Sequence, residues 1–333
     1  MILIFSGGID NSAAGAYNRD SSKKGEDSMS RFLVSGLINL ETSCRVDGFP
    51  IAYAPIDFNF FGVTSCISGV GYNVAKALHT LGGQVTLATL TGRDAAGALA
   101  VRTASEVGID VSRMVPGLKE TPASTVLFDG EGRRRIYCDL KDIQDTSYDF
   151  GGIDPSDYDA VIACNIHFSR PLLAKARQAG VPVAVDVHTL SDPRDAYNSE
   201  FMRAADILFL SDENVRSDPA AFLRTLGDIY GCRLIVMGQG GSGALLYIRE
   251  EDRFCSLTAA AIGTPTNTAG AGDALFSAFV YLFCEGLPPD ECLRRAEVFA
   301  AAKIRESGAS NGFIPRAERE SLQEAFGGSI REK

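Results

Sequence analysis

The sequence predicts an α/β fold in which a doubly wound, mostly parallel β-sheet lies between helices, with a small accessory β-sheet. Three observations support this prediction. Short apolar segments alternate with helical ones, Gly-rich turns separate them, and two β-rich segments, near 39–68 and 122–140, break the alternation. Strands that alternate with helices imply βαβ units and a parallel sheet covered on both faces. The two segments that do not fit are assigned to the accessory sheet.

The elements of the first half follow one another along the chain. A buried strand at 31–38 ends in a Gly turn and begins the domain. The next elements are predicted as strands at 52–56 and 63–67, a helix at 71–81, a strand at 84–90 and a helix at 95–107. A β-hairpin follows, with strands at 124–128 and 134–138 joined by a turn around 129–132.

The second half is more regular. Strands are predicted at 160–164, 183–187, 207–210 and 234–237, and helices near 170–179, 196–204 and 219–229. A β-meander at 244–248 and 254–257 then leads into a Gly-rich loop, and two helices that begin at Asp273 and Pro289 complete the core. Because no linker interrupts the chain, we expect a single domain over 31–325.

Residues 1–30 differ from the rest of the chain. After five apolar residues the segment becomes polar and rich in Gly, Ser, Asp and Lys, without periodicity. Such a composition does not supply enough apolar surface to fold. We therefore expect a disordered leader, with Met29 as an alternative start site.

Composition and charge narrow the functional class. Of the 333 residues, 45% are hydrophobic and 22% are charged, which supports a sizeable core. The net charge of −10 argues against a nucleic-acid partner, because phosphate backbones require clustered Lys and Arg. No stretch resembles a membrane span, and the eight scattered cysteines form no C-x-x-C pair. We expect a cytoplasmic protein with reduced thiols and no membrane partner.

The loop at 267–273, N-T-A-G-A-G-D, is the leading candidate for a functional site. Small residues run into Asp273, and an apolar, Ala-rich helix begins at once. Free N–H groups at a first helical turn favour an anion, and Gly270 and Gly272 let it approach the backbone. A carboxylate beside an anion site repels the anion, so its presence requires an explanation. Asp273 either takes a proton from an incoming hydroxyl or only caps the helix.

Three other segments carry polar or Gly-rich signals. Asn73 lies in the first turn of a predicted helix, where an amide can donate to one hydroxyl and accept from another. Asn39 and Glu41 follow the first strand, at the strand end where open parallel sheets bind ligands. The turn at 238–243, G-Q-G-G-S-G, follows a predicted parallel strand and suits the phosphates or ribose of a nucleotide.

In combination these segments resemble the ribokinase-like carbohydrate kinase family of the PfkB type, over residues 31–309. The family motifs are D-T-x-G-A-G-D, G-G-x-x-x-N-x-A, G-x-x-N-x-D, G-x-x-G-x-D-x-x-G and T-x-G-x-x-G. Their counterparts, some incomplete, lie at 267–273, 68–75, 36–41, 92–97 and 238–243, respectively. One such motif would be weak, but five in the family's order make the resemblance specific.

The resemblance implies a ribokinase-like fold and ATP-dependent phosphorylation of a hydroxyl on a small sugar or sugar acid, with Mg²⁺. By this resemblance Asp273 is the catalytic base, and Gly270, Ala271 and Gly272 form the anion hole for the γ-phosphoryl group. The acceptor is held by Asn39, Glu41, Gly69 and Asn73. The ATP site is lined by Gly238, Gly240, Gly243 and Thr268. The accessory strands become a lid over the acceptor, and exposed lid edges favour a homodimer.

The sequence also departs from the family pattern. Asn267 replaces an Asp that helps to bind a monovalent cation in some members, so cation dependence is left open. The family's N-x-x-E motif, which organises Mg²⁺, is not intact at 211–214, and the metal ligands stay unassigned. Glu41 replaces an Asp, and Gly238 replaces a Thr. Val70 stands where some members carry a Lys, which argues against an acceptor that already carries a phosphate.

Two alternative functions are kept. The first is a nucleoside kinase of the adenosine, inosine or pseudouridine type, in which Phe58, Phe60 and Phe61 would stack on the nucleobase. The same aromatic residues suit lid core or a dimer contact. The second alternative is a ligand sensor that has kept the fold and lost catalysis, which the altered Asn267 and 211–214 segment favour and an intact Asp273 disfavours.

Several charged side chains are interpreted conservatively. The Arg run at 133–135 is assigned to a solvated turn, although it lies in the predicted hairpin and a phosphate could attract it. His79, His167 and His188 are assigned to structural or rim positions.

Overall fold

A computed structural model describes residues 29–131, 133–327 and 331, and every absence stated below refers to these residues. The expected disordered leader lies outside them except for its last two residues, as does Gly132 of the predicted hairpin turn. The chain forms a nine-stranded sheet and a separate four-stranded sheet. No helix among the described residues is long and apolar enough to cross a membrane.

The bounds of the elements are as follows. The strands are β1 (Arg31–Ser35), β2 (Asn39–Arg45), β3 (Val63–Ser68), β4 (Gln84–Gly92), β5 (Met114–Leu118), β6 (Ala123–Phe128), β7 (Arg134–Asp139), β8 (Ala160–Ala163), β9 (Val183–Thr189), β10 (Ile207–Ser211), β11 (Leu234–Gly238), β12 (Ala244–Ile248) and β13 (Arg253–Leu257). The helices are α1 (Val70–Thr80), α2 (Ala95–Val107), α3 (Arg170–Gln178), α4 (Ser199–Ala204), α5 (Pro219–Tyr230), α6 (Ala271–Cys284), α7 (Pro289–Lys303) and α8 (Arg316–Phe326).

The large sheet has the strand order β13-β12-β11-β10-β9-β8-β1-β4-β5. Pairing is parallel from β11 to β5, and the meander of β12 and β13 adds two antiparallel pairs at one edge. This arrangement confirms the predicted fold class. The carboxyl ends of the parallel strands share one edge of the sheet, which is where such sheets bind ligands.

Both faces of the large sheet are buried, as the apolar strands predict. In β1 the side chains of Phe32 and Val34 pack into the core beneath α1, α6 and α7, whereas Leu33 packs into the core beneath α3, α4 and α5. All three are fully buried. Successive strand residues point to opposite faces, so continuous apolar strands need a helical layer on each side.

The small sheet has the order β3-β2-β6-β7, with antiparallel outer pairs and a parallel β2–β6 pair. Strand β2 begins four residues after β1 ends, so the small sheet emerges from the carboxyl edge of the large one. The exposed strand β7 forms one of its edges. This sheet is the accessory sheet that the sequence predicts, and we refer to it as the lid.

Several sequence predictions of elements need correction. The segment 52–56 was predicted as a strand, but no strand forms between Arg45 and Val63, and Tyr53 is almost fully exposed. Pro55 lies within that segment and has no N–H group to donate to a ladder. The edge strand β5 and the amphipathic helix α8 were not predicted. Pro116 and Gly117 hide the strand pattern of β5.

Candidate active site

A cavity of about 370 Å³ opens at the carboxyl edge of the large sheet. Its walls come from the ends of β9, β10 and β11 and from the first turn of α6. All eight residues that the sequence assigns to phosphate and nucleotide binding lie on these walls. They are Gly238, Gly240, Gly243, Thr268, Gly270, Ala271, Gly272 and Asp273.

The loop before α6 is fixed by a close backbone contact. Gly270 has φ +78°, and a Cβ atom at this position would lie 2.2 Å from the carbonyl oxygen of Ala309. Only glycine meets both requirements without strain. A Cβ at Gly272, by contrast, would meet nothing within 4 Å. The loop is therefore packed on one side and open on the side of the cavity.

Backbone N–H groups of this loop point to an anion site. The N–H of Ala271 donates to the carbonyl of Thr268 (3.2 Å), and the N–H of Ala274 donates to the carbonyl of Gly270 (3.0 Å). The N–H groups of Gly272 and Asp273 have no backbone acceptor in the described chain, as expected in a first helical turn. Unpaired N–H groups at the positive end of a helix dipole attract an anion.

Asp273 lies in the first turn of α6, and its side chain is buried. Its Oδ2 accepts a hydrogen bond of 2.7 Å from Nδ2 of Asn73. The residue does not form a side-chain cap, since the N-cap position belongs to Gly270 and carries no side-chain hydrogen bond. The geometry therefore disfavours the capping alternative.

Burial raises the pKa of Asp273 from 3.8 to about 6. The hydrogen bond from Asn73 and the charges of His188 and Lys303 oppose this rise, while the carboxylate of Asp186 adds to it. A carboxyl with a pKa near 6 is largely ionised at neutral pH. It is also a stronger base than an exposed aspartate, which suits proton abstraction.

Asn73 reaches Asp273 because α1 begins very close to the end of β1. A Cβ atom on Gly71 would lie 2.5 Å from the carbonyl carbon of Gly36, so the two backbones are in direct contact. Asn73 is buried, and its Oδ1 lies 3.4 Å from Oγ of Ser68. The amide thus bridges the base and the end of β3 in the lid.

The lid supplies the other polar residues predicted for the acceptor. Asn39 pairs with Ser68 in the β2–β3 ladder, and its Nδ2 donates to Oγ of Ser124 (3.1 Å). The Oδ1 of Asn39 is buried without a partner in the described structure. Glu41 is buried two residues further along β2, on the same face. An unpaired buried acceptor suits a hydroxyl donor.

Gly69 precedes α1 and has φ +100°. A Cβ here would lie 2.7 Å from the carbonyl oxygen of Leu37. Gly69, Asn73, Asn39 and Glu41 are not part of the wall of the 370 Å³ cavity. Asp273 lines that cavity and is bonded to Asn73, whose Oδ1 in turn lies near Ser68 of the lid, so Asp273 is connected to both groups of candidate residues.

Three side chains at the site were missed or set aside by the sequence analysis. Asp186 and His188 line the cavity at a bulge near the end of β9, where His188 has φ +61° and donates its N–H to Oδ1 of Asp186 (2.8 Å). An acid inside an apolar strand was the available signal. Arg134, at the start of β7, also lines the cavity, so it does not belong to a purely solvated turn.

Candidate metal ligands at this site are its His, Cys, Asp and Glu side chains. No group of three or more His, Cys, Asp or Glu side chains among the described residues could hold a metal ion. Four carboxylates, those of Asp186, Glu213, Asp273 and Glu297, line the cavity that contains the anion loop. Of the altered 211–214 segment, Ser211 and Glu213 reach this cavity.

Comparison with known proteins gives matches to carbohydrate kinases. A family model described as pfkB family carbohydrate kinase matches residues 29–317. The acarbose 7(IV)-phosphotransferase of an Actinoplanes species is 25% identical over 289 residues, which cover 86% of this chain and 95% of the relative. An ATP-dependent ribose-1-phosphate kinase of Halopiger xanaduensis is 23% identical over 315 residues, with coverage of 90% and 100%.

The fold is also that of solved kinases. The structure of a microbiome-derived acarbose kinase superimposes with a TM-score of 0.80 at 22% identity. The match covers 89% of this chain and all of the other.

Proposed function

This chain belongs to the pfkB family of carbohydrate kinases, and on that premise we propose that it transfers the γ-phosphoryl group of ATP to a hydroxyl of a small sugar or sugar acid. Family membership makes it a phosphotransferase that acts on an alcohol group and implies that it uses ATP. The observation that carries the finer proposal is the position of Asp273. Its buried carboxylate lines the cavity of the anion loop and accepts a hydrogen bond from Asn73, which contacts the end of β3 in the lid.

Each side of Asp273 has one task in this proposal. On the cavity side, Gly240 and Gly243 line the nucleotide site, and the unpaired N–H groups of Gly272 and Asp273 bind the γ-phosphoryl group. Arg134 faces the same cavity and adds positive charge to an acidic protein. Charge on the transferred group is thus met by fixed donors.

On the lid side, Asn39 and Asn73 hold the acceptor by its hydroxyl groups. The carboxylate of Asp273 takes the proton of the attacking hydroxyl as that oxygen bonds to phosphorus and ADP leaves. Asn73 keeps the carboxylate aimed and favours its ionised form. The lid excludes water, which protects ATP from hydrolysis.

Mg²⁺ fits the residues present, and we propose that Asp186 and Glu213 hold it, directly or through water. Mg²⁺ usually binds one or two carboxylates together with phosphate oxygens and water, so a cluster of three protein ligands is not required. Both carboxylates line the cavity of the anion loop. When bound, the ion neutralises charge on the phosphates.

The lid also supports a homodimer. Its loop at 46–62 exposes Phe58, Phe60 and Phe61 almost completely, and Ile51 and Ile56 are exposed nearby. We propose that two copies pair through this apolar surface. Analytical ultracentrifugation of the protein and of a variant with Ser at all three Phe positions tests this; a monomer in both cases would contradict it.

A coupled ADP-release assay tests the proposed activity. The acceptor panel contains ribose, fructose, 2-keto-3-deoxygluconate, acarbose and ribose 1-phosphate, with adenosine, inosine and pseudouridine as the nucleoside arm. We expect ADP release that depends on a sugar or sugar acid. Val70 offers no charge to a substrate phosphate, so we expect free sugars to exceed ribose 1-phosphate. Activity with nucleosides alone would support the nucleoside kinase alternative, and no acceptor-dependent ADP release would favour the sensor.

A further inference from the structure

Lys303, the last residue of α7, is completely buried beside the anion loop. Its Nζ donates to the carbonyl oxygen of Ala269 in that loop and to the carbonyl oxygen of Gly308 (2.9 Å) in the turn after α7. A buried ammonium is expensive unless its donors are satisfied, so its retention at this place calls for a role.

The ammonium lies where two backbone segments meet. The N–H groups of Thr266 and Asn267 donate to the carbonyl of Ile304 (2.8 and 3.1 Å), and Gly270 packs against Ala309. Carbonyl oxygens of both segments, those of Ala269 and Gly308, converge on the Lys303 ammonium near the negative end of α7. A positive charge at this junction offsets their mutual repulsion.

We propose that Lys303 is a built-in monovalent cation: a positioning residue whose ammonium holds the anion loop in its binding conformation and makes turnover independent of added K⁺. An ammonium group and K⁺ are of similar size, and both bind carbonyl oxygens. The proposal rests on the proposed kinase function. It also answers the question that Asn267 leaves open about cation dependence.

The electrostatic surroundings are compatible with a charged Lys303. Burial lowers its pKa from 10.5 to about 8, while Asp273 and Glu41 counteract the decrease and Arg134 adds to it. The side chain therefore remains protonated at neutral pH. Its charge also helps to keep Asp273 ionised.

The test compares Lys303→Ala with Lys175→Ala in buffers that contain K⁺, ammonium or only tetramethylammonium. Lys175, which lies on α3, is a matched control because its Nζ also donates to a backbone carbonyl, that of Phe150 (2.7 Å). We expect the unmodified enzyme and Lys175→Ala to turn over equally in all three buffers. We expect Lys303→Ala to lose about 10- to 100-fold in kcat in tetramethylammonium, with little change in KM for ATP. Ammonium or K⁺ should restore part of this loss.

Lys303→Met fills the same space without a charge and should not be rescued. The proposal is overturned if Lys303→Ala keeps normal kcat, if no small cation restores it, or if the unmodified enzyme requires K⁺. Thermal unfolding gives a readout without turnover. Small cations should raise the Tm of Lys303→Ala but not that of Lys303→Met or Lys175→Ala, so the idea can fail even if no acceptor is found.

Discussion

The two sides of Asp273 are built in different ways. On the proposed nucleotide side, much of the surface is backbone: the unpaired N–H groups of Gly272 and Asp273, in a loop that packs against the turn after α7, and the Gly-rich turn at 238–243. On the proposed acceptor side, the candidate groups are side chains, among them Asn39 and Glu41, on a separate four-stranded sheet with an exposed edge. A backbone surface depends little on side-chain identity and suits one constant ligand, whereas side chains on the lid can differ to match different acceptors.

This difference has a physical basis. ATP presents the same phosphates in every turnover, so rigid donors serve it well. Acceptors differ in the arrangement of their hydroxyl groups, and side chains on a lid can change without disturbing the large sheet. Substitutions on the two sides should therefore separate turnover from acceptor binding.

The largest effect is expected where the two sides meet. Asp273→Asn keeps the size of the side chain but removes its basicity, so we expect kcat to fall by about 1,000-fold. ATP binding, measured by calorimetry, should survive. The matched control is Asp218→Asn, because Asp218 caps α5 through the N–H of Ala221 and Asn caps equally well. Near-normal turnover of Asp273→Asn would refute the role of a base.

On the nucleotide side, two neighbouring glycines should separate stability from turnover. Gly272→Ala places a methyl group toward the open side of the loop, and we expect kcat to fall by about 100-fold with little change in stability. Gly270→Ala has to adopt φ +78° and meets the Ala309 carbonyl, which should cost about 1–3 kcal/mol. Urea unfolding and kcat of both variants check this. Equal stability of the two variants would contradict the packing argument.

The structure brings the glycines predicted for the nucleotide site to one cavity, and their backbone geometry explains why the sequence marks them. Positive φ and close approach require glycine, so Gly270 and Gly240 mark backbone geometry directly in the letters. Lys303 and Asp186 left much weaker signals. Each reaches the site through a fold contact between distant segments, and a lysine that ends an Ala-rich helix looks like a solvated one. The strand predicted at 52–56 failed because an apolar pattern does not reveal whether a partner strand exists.

Arg134 tests whether the lid also serves the nucleotide. Arg134→Gln removes one charge from the cavity wall, and we expect KM for ATP to rise by about 10-fold, the value of one charged hydrogen bond. Arg135→Gln is the control, since Arg135 stacks over Tyr137 (4.9 Å). If both variants behave alike, Arg134 acts as part of a solvated turn after all. The lid residue Arg134 would then contribute nothing to ATP binding.

The smallest expected effect is a shift in pH dependence that links the two sides. Asp273 must be ionised to accept a proton, so kcat/KM should fall below a pKa of about 6. The hydrogen bond from Asn73 lowers this pKa, so Asn73→Ala should move the acid limb to higher pH and raise KM for the acceptor.

The free energy of unfolding changes with pH in the opposite direction to activity. Because folding raises the pKa from 3.8 to about 6, ionisation of Asp273 destabilises the fold as pH rises through that window. An acid limb that does not move in Asn73→Ala would mean that the limb reports another group, and Asn73 would then belong to the acceptor side alone.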